Sequence, residues 1–140
     1  MCFKVLKKLF GKGGEQPSPG DWLLQENMSY EDGVFTARAV PFSKVWLTTV
    51  ADTHSMDPTI DIGHTAILGF LQGFHDRLQT GDICVYYVPE HPTGILHRIV
   101  EIGHDENGRY YIFKGDNNWG SDPYRLRDAD VEWVLVGILY

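Results

Sequence analysis

VFTARAV (34–40) alternates in the manner of a strand. β-Branched and aromatic residues crowd KVWLTTVA (44–51), TAILGF (65–70) and DICVYYV (82–88). The same holds for GILHRIVEI (94–102), RYYIF (109–113) and WVLVGILY (133–140). Gly, Pro, Asp and Asn fill the segments between them. This pattern predicts a mainly β domain, a barrel or sandwich-like coil of sheets. YRLRDADVEW (124–133) is expected to include a helical turn. At the start, Phe3, Leu6 and Phe10 recur at helical spacing, with Lys4, Lys7, Lys8 and Lys12 mostly on the other side. That predicts a short basic amphipathic helix over 1–12, either a membrane-surface foot or a terminal helix packed on its own domain. GKGGEQPSPG (11–20) reads as a linker, which leaves 21–140 as one domain.

The chain has 140 residues, 43% of them hydrophobic, enough for a real core. A net charge of −7 repels phosphate, so a general nucleic-acid partner is not expected. The two cysteines, Cys2 and Cys84, make neither a disulfide framework nor a CxxC pair. Six histidines (His54, His64, His75, His91, His97 and His104) match no HExxH-like spacing, so no metal is expected. No apolar run reaches the roughly 18 residues that span a bilayer. The expected location is therefore cytoplasmic or peripheral to a membrane, with weak surface association through residues 1–12.

Three segments carry candidate chemistry. In ADTHSMDPTIDIG (51–63), Pro58 fixes its own φ and keeps Asp57 out of the helical region, so the chain must turn sharply after Ser55. A serine at such a corner can expose its Oγ while its own N–H points at an oxyanion. It can equally be an ordinary serine in an Asp-Pro turn. His97 lies mid-strand in an apolar run, where a histidine is either a satisfied core residue or an imidazole tuned by a carboxylate. Arg98 points to the opposite face. FKGDNNWGSDPYRL (113–126) holds Asp116 and Asp122 among turn-forming residues. With Asn107-Gly108 as a two-residue turn, Glu106 pairs with Arg109 and His97 falls opposite Asn118; a longer loop or a bulge shifts this. A carboxylate from 116–122 then comes within reach of the imidazole, the logic of a catalytic triad. Ser55 is not placed beside them by this argument.

Ser55-Met56-Asp57-Pro58-Thr59-Ile60 resembles the Ser-Met-x-Pro-Thr nucleophile box of the signal peptidase I and LexA-like serine protease superfamily. Gly81-Asp82-Ile83-Cys84-Val85-Tyr86 resembles its Gly-Asp-Ile-Val-Val-Phe strand, and His97-Arg98-Ile99-Val100 its His-Arg-Val-Val box. Lys114-Gly115-Asp116-Asn117-Asn118 followed by Asp122 resembles the Lys-Gly-Asp-Asn-Asn…Asp box. The boxes keep the family's order across roughly residues 45–140, and together they are far more specific than any one alone. Most members use a Ser-Lys pair; the endoplasmic-reticulum and archaeal branch has His where the others have Lys, and His97 stands there.

The resemblance implies coiled β-sheets and a serine endopeptidase of signal-peptidase type acting on a peptide or protein substrate without a cofactor. It implies Ser55 as nucleophile, His97 as base and Asp122 as orienting carboxylate, with Asp116 supporting the loop or sharing the third role. Ser55 N–H and the hydroxyl of Thr53 are the implied oxyanion donors. His54, bulkier than the usual small residue before the nucleophile, and Gly63-His64 in place of Gly-Asp depart from the pattern. Two rival readings remain. A LexA-like regulator should carry a DNA-binding domain, a Lys base and an Ala-Gly or Cys-Gly scissile bond, and neither dipeptide occurs. A non-catalytic module on the same fold draws its support from His54 and His64.

Overall fold

Both faces of the strand Ile83–Val88 are buried, which sets the plan of the molecule. Cys84 and Tyr86 face one apolar cluster, and Ile83 and Val85 face a second. Successive strand residues point to opposite faces, so a strand apolar at every position must be covered on both sides. The computed structural model of the chain describes residues 16–39 and 41–140. The amphipathic helix expected over 1–12 lies outside the described residues.

The described residues form eight strands: β1 (Met28–Glu31), β2 (Val34–Ala37), β3 (Val45–Thr49), β4 (Thr65–Phe70), β5 (Ile83–Val88), β6 (His91–Asp105), β7 (Gly108–Lys114) and β8 (Val131–Leu139). β1 and β2 form a separate hairpin. The other six make one sheet in the order β3-β4-β8-β5-β6-β7, every neighbouring pair antiparallel. The mainly β expectation holds. Helical structure among the described residues is limited to 3-10 turns, one of them at Asp128–Asp130 inside the segment expected to hold a helical turn.

The first cluster gathers Trp22, Leu71, Tyr86, Ile99, Tyr111 and Phe113 from several strands and the entering segment. The second gathers Met56, Ile60, Leu68, Val85 and Leu135. Met56 follows Ser55 directly and Ile60 comes soon after it, so the serine corner is pinned by apolar burial on its C-terminal side.

Three details differ from the sequence expectation. The β6–β7 turn is Glu106-Asn107, with Asp105 paired to Gly108, because the Asp105 carboxylate accepts the Asn107 N–H and Gly108 takes a positive φ of 99°. A bulge between Ile99 and Glu101 then moves the register again, so Arg98 pairs with Lys114 and His97 does not lie opposite Asn118. The β1 strand was not expected. Its turn, Asp32-Gly33 with φ of 49° and 81°, joins paired Glu31 and Val34, the geometry of a two-residue hairpin. Finally, the end of the stretch expected as a linker lies against the domain. Arg98 Nη1 donates to the Pro17 carbonyl at 3.0 Å, and Gly20 N–H donates to Asp82 at 2.8 Å.

Candidate active site

The β5–β6 register puts His97 directly across from Cys84, on the face that Tyr86 also occupies. On the alternate face of β6, Arg98 is 4% exposed and donates through Nε and Nη2 to both oxygens of Asp116, at 2.8 and 2.6 Å. It donates further to the Pro17 and Gly81 carbonyls. A buried guanidinium with this many acceptors is neutralised and satisfied, and it fixes one end of the 114–122 loop. Thr59 Oγ1 also donates to Asp116, at 2.6 Å. Burial pulls the Asp116 carboxyl upward, but hydrogen bonds from Arg98 and Thr59 and the Arg98 charge outweigh it and hold the carboxyl below its usual range.

The same loop reaches back to the serine corner. Asn117 N–H donates to the Ser55 carbonyl at 2.9 Å, and Asn117 Nδ2 donates to the His54 carbonyl at 2.9 Å. Asp116 N–H points at Met56 Sδ. These contacts join the first and third sequence segments by backbone, a link the sequence does not display. Asp122 is set by its own N–H, which donates to the Phe113 carbonyl at the end of β7 at 2.8 Å.

Ser55 Oγ lies 3.0 Å from His97 Nε2, and His97 Nδ1 lies 2.7 Å from Asp122 Oδ2. With Asp122 ionised, Nδ1 carries the proton and donates to it, which leaves Nε2 free to accept the Ser55 hydroxyl proton. The His97 and Asp122 side chains are each 10% exposed, so the pair is largely shielded from water. Thr53 Oγ1 is 3.2 Å from Ser55 Oγ. Thus Ser55, His97, Asp122 and Thr53 meet, whereas Asp116 faces Arg98 and Thr59 and makes its contacts away from the imidazole.

One member of the cluster was not singled out from sequence. Tyr86 hydroxyl donates to Asp122 Oδ2 at 2.8 Å, the same oxygen that accepts from His97. Burial, then the hydrogen bond and charge of Asp122, push this phenol well above the usual tyrosine range, so it stays protonated. The available signal was its place two residues after Cys84 on a strand buried on both faces, where a tyrosine hydroxyl needs a partner.

The site opens into a cleft of about 470 Å³, lined by Thr53, His54, Ser55 and His97 together with Trp46, Ile60, Leu68, Val85 and Ile95. Its walls are mainly apolar, as expected of a site that takes an apolar group beside a few polar ones. His54 is exposed and has a positive φ of 56°. Its ring lies between Asp57 Oδ2 and Asp52 Oδ1, at 3.0 Å from each. The hydrogen bond to Asp57 and the nearby charge of Asp52 raise its pKa. His54, Asp57 and Asp61 hold possible metal-ligand atoms within 4.8 Å of one another, but both His54 nitrogens already face carboxylates. His64 Nδ1 accepts the Asp61 N–H, a local turn contact. No helix among the described residues is long and apolar enough to cross a membrane.

No protein-family model matches the chain, and no solved structure matches it. Curated relatives do. The chain is 31% identical over 127 residues to the signal peptidase complex catalytic subunit SEC11 of Eremothecium gossypii, covering 76% of this chain and 74% of that protein. It is 50% identical over 63 residues to the corresponding sec11 subunit of Schizosaccharomyces pombe, over 42% of this chain and 33% of the relative. A third match, SEC11 of Zygosaccharomyces rouxii, is 35% identical over 69 residues, or 49% of this chain and 40% of that one. The chain thus spans about three quarters of one relative and well under half of the other two. Four ordered sequence boxes and one long alignment agree, and the chain belongs to the signal peptidase complex catalytic subunit family.

Proposed function

We propose that the chain is a serine endopeptidase that cleaves peptide bonds in signal-peptide-like substrates, with Ser55 as nucleophile, His97 as general base and Asp122 as its orienting carboxylate. The observation that carries this reading is the unbroken line of hydrogen-bond distances from Ser55 Oγ through the two nitrogens of His97 to Asp122. Ser55 Oγ attacks the scissile carbonyl while His97 Nε2 takes its proton. Asp122 keeps Nδ1 protonated and stabilises the imidazolium that forms. Collapse of the tetrahedral intermediate passes the proton from His97 to the leaving amine and leaves an acyl-Ser55 ester. Water, deprotonated by the same imidazole, releases the second product.

The oxyanion donors in this reading are the Ser55 N–H and the Thr53 hydroxyl, which stands beside the attacking oxygen. The relatives' names describe signal peptidases. A cleft with apolar walls suits the apolar flank of a signal peptide. The test is incubation of the protein, and of its Ser55→Ala variant, with a peptide library that includes signal-peptide sequences. Cleavage by the first and not by the second is expected. Equal cleavage by both would exclude Ser55 as nucleophile, and no cleavage by either would favour a non-catalytic module.

A further inference from the structure

We propose that Tyr86 is a positioning residue for the His97–Asp122 pair, a role that rests on the serine-peptidase reading above. Its ring is fully buried, packed against Phe113 with centroids 4.9 Å apart and flanked by Tyr124 and His97. Tyr86 does not line the cleft, so it touches no substrate. Its hydroxyl donates to Asp122 Oδ2 at 2.8 Å.

Two donors therefore converge on one carboxylate oxygen. The phenol fixes the rotation of the Asp122 side chain, which in turn aims Oδ2 at His97 Nδ1. It also draws on the carboxylate's negative charge, moderating how strongly Asp122 stabilises the protonated imidazole. The position suits a phenol. β5 is paired on both edges, Tyr86 pairs with Ile95 of β6 and Val131 of β8, and the hydroxyl stays protonated. A phenylalanine fills the same ring volume but leaves Oδ2 with a single donor.

Two consequences distinguish positioning from packing. Tyr86→Phe is expected to lower kcat by roughly tenfold, the scale of one hydrogen bond to a charged group, with KM unchanged. The acid limb of the pH–rate profile is expected to move to higher pH, because an Asp122 freed of its second donor holds the imidazolium more tightly.

The experiment compares the full chain with Tyr86→Phe, Asp122→Ala and the double variant, each checked for an unchanged thermal midpoint relative to its parent. If Tyr86 acts through Asp122, Tyr86→Phe loses its effect in the Asp122→Ala background. A Tyr86→Phe variant with unaltered kcat and an unmoved acid limb overturns the inference. So does an equal loss in both backgrounds. Should Tyr86→Phe misfold, the Nδ1 proton resonance of His97 in the unmodified protein decides: slow solvent exchange together with a cross-peak to the Tyr86 hydroxyl supports the inference, and the lack of that cross-peak overturns it. Ser55→Ala in parallel separates the two levels. Retained cleavage there defeats the peptidase reading, whereas a silent Ser55→Ala beside an unaffected Tyr86→Phe defeats only the role of Tyr86.

Discussion

Gly115 lies so close to Ser55 that a Cβ built on it would stand 2.6 Å from the Ser55 carbonyl oxygen, and equally close to Asn118 Nδ2. The loop that delivers Asp122 therefore packs backbone to backbone against the serine corner, and the Asn117 N–H to Ser55 carbonyl bond holds the two together. Gly115→Ala must push the corner and the loop apart, because the Asn118 amide can swing aside but the Ser55 carbonyl is main chain and cannot. The expected result is a fall in turnover of about 10²-fold, the scale of a displacement near 1 Å, with a stability loss of only about 1–3 kcal/mol. Turnover and a denaturant midpoint measured on the same sample check it; an active Gly115→Ala protein would mean that the corner tolerates the shift.

In the proposed mechanism the two loop carboxylates divide their work, and two substitutions should separate them. Asp122→Asn keeps the side chain's shape but no longer carries the charge that faces Nδ1, so activity is expected to fall by about 10⁴-fold with the fold retained. Asp116→Asn instead leaves the buried Arg98 guanidinium without its counter-charge, at a cost of about 3–5 kcal/mol. Its signature is a lowered unfolding midpoint and residual activity at low temperature. Cleavage assays at 10 °C beside thermal unfolding distinguish the two, and the reverse pattern would move the carboxylate role to Asp116.

The strands were legible because their apolar residues keep a strict local pattern, and β4 runs over Thr65–Phe70 as the sequence pattern predicts. β1 was not, since the four residues of Met28–Glu31 make too short an alternation to stand out, and the hairpin they form with the exposed β2 lies apart from the six-stranded sheet. The Asp32-Gly33 turn signal was present beside it. In the site, Ser55, His97 and Asp122 could be named from motifs, but their meeting depends on contacts that no local pattern encodes. The bulge after Ile99 and the Asp105-capped turn move the β7 register past any count from Asn107. The Asn117 backbone bond to Ser55 crosses from one sequence segment to another. Tyr86 was hidden for a different reason: within ICVYYV it is one more aromatic in an apolar strand, and only the pairing of Cys84 with His97 shows which of the two tyrosines faces the imidazole.

Acid should weaken the fold through three aspartates. Hydrogen bonds from Arg127 hold the Asp105 carboxyl well below its usual range. For Asp116 and Asp128, burial works upward, but bonds from Arg98 and Arg109 respectively prevail and lower both. A carboxyl lowered in the folded state contributes stability that is complete above its unfolded value, about 3.9, and is lost as pH falls through the folded one. Urea midpoints are thus expected to be flat from pH 7 to about 5 and to drop steeply below 4. Asp105→Asn should flatten the acid side of that curve. A midpoint independent of pH down to 3 contradicts the assignment.

His54 is the residue whose size most departs from the family pattern, and its geometry states what the position demands. Its φ of 56° lies in the left-handed region, which Gly and Asn enter readily and β-branched residues resist. The Asn117 side chain grips the His54 carbonyl, so this backbone conformation is held from outside as well. The ring itself points to solvent between Asp52 and Asp57. His54→Gly and His54→Asn should therefore keep activity within a few-fold of the unmodified protein. His54→Val should destabilise the corner by about 1–3 kcal/mol and depress kcat, because the strain falls on the residue bonded to Ser55. If all three variants behaved alike, the backbone at 54 would not be what matters; if Gly and Asn abolished cleavage while Val did not, the imidazole side chain would have a role that its exposed position does not reveal.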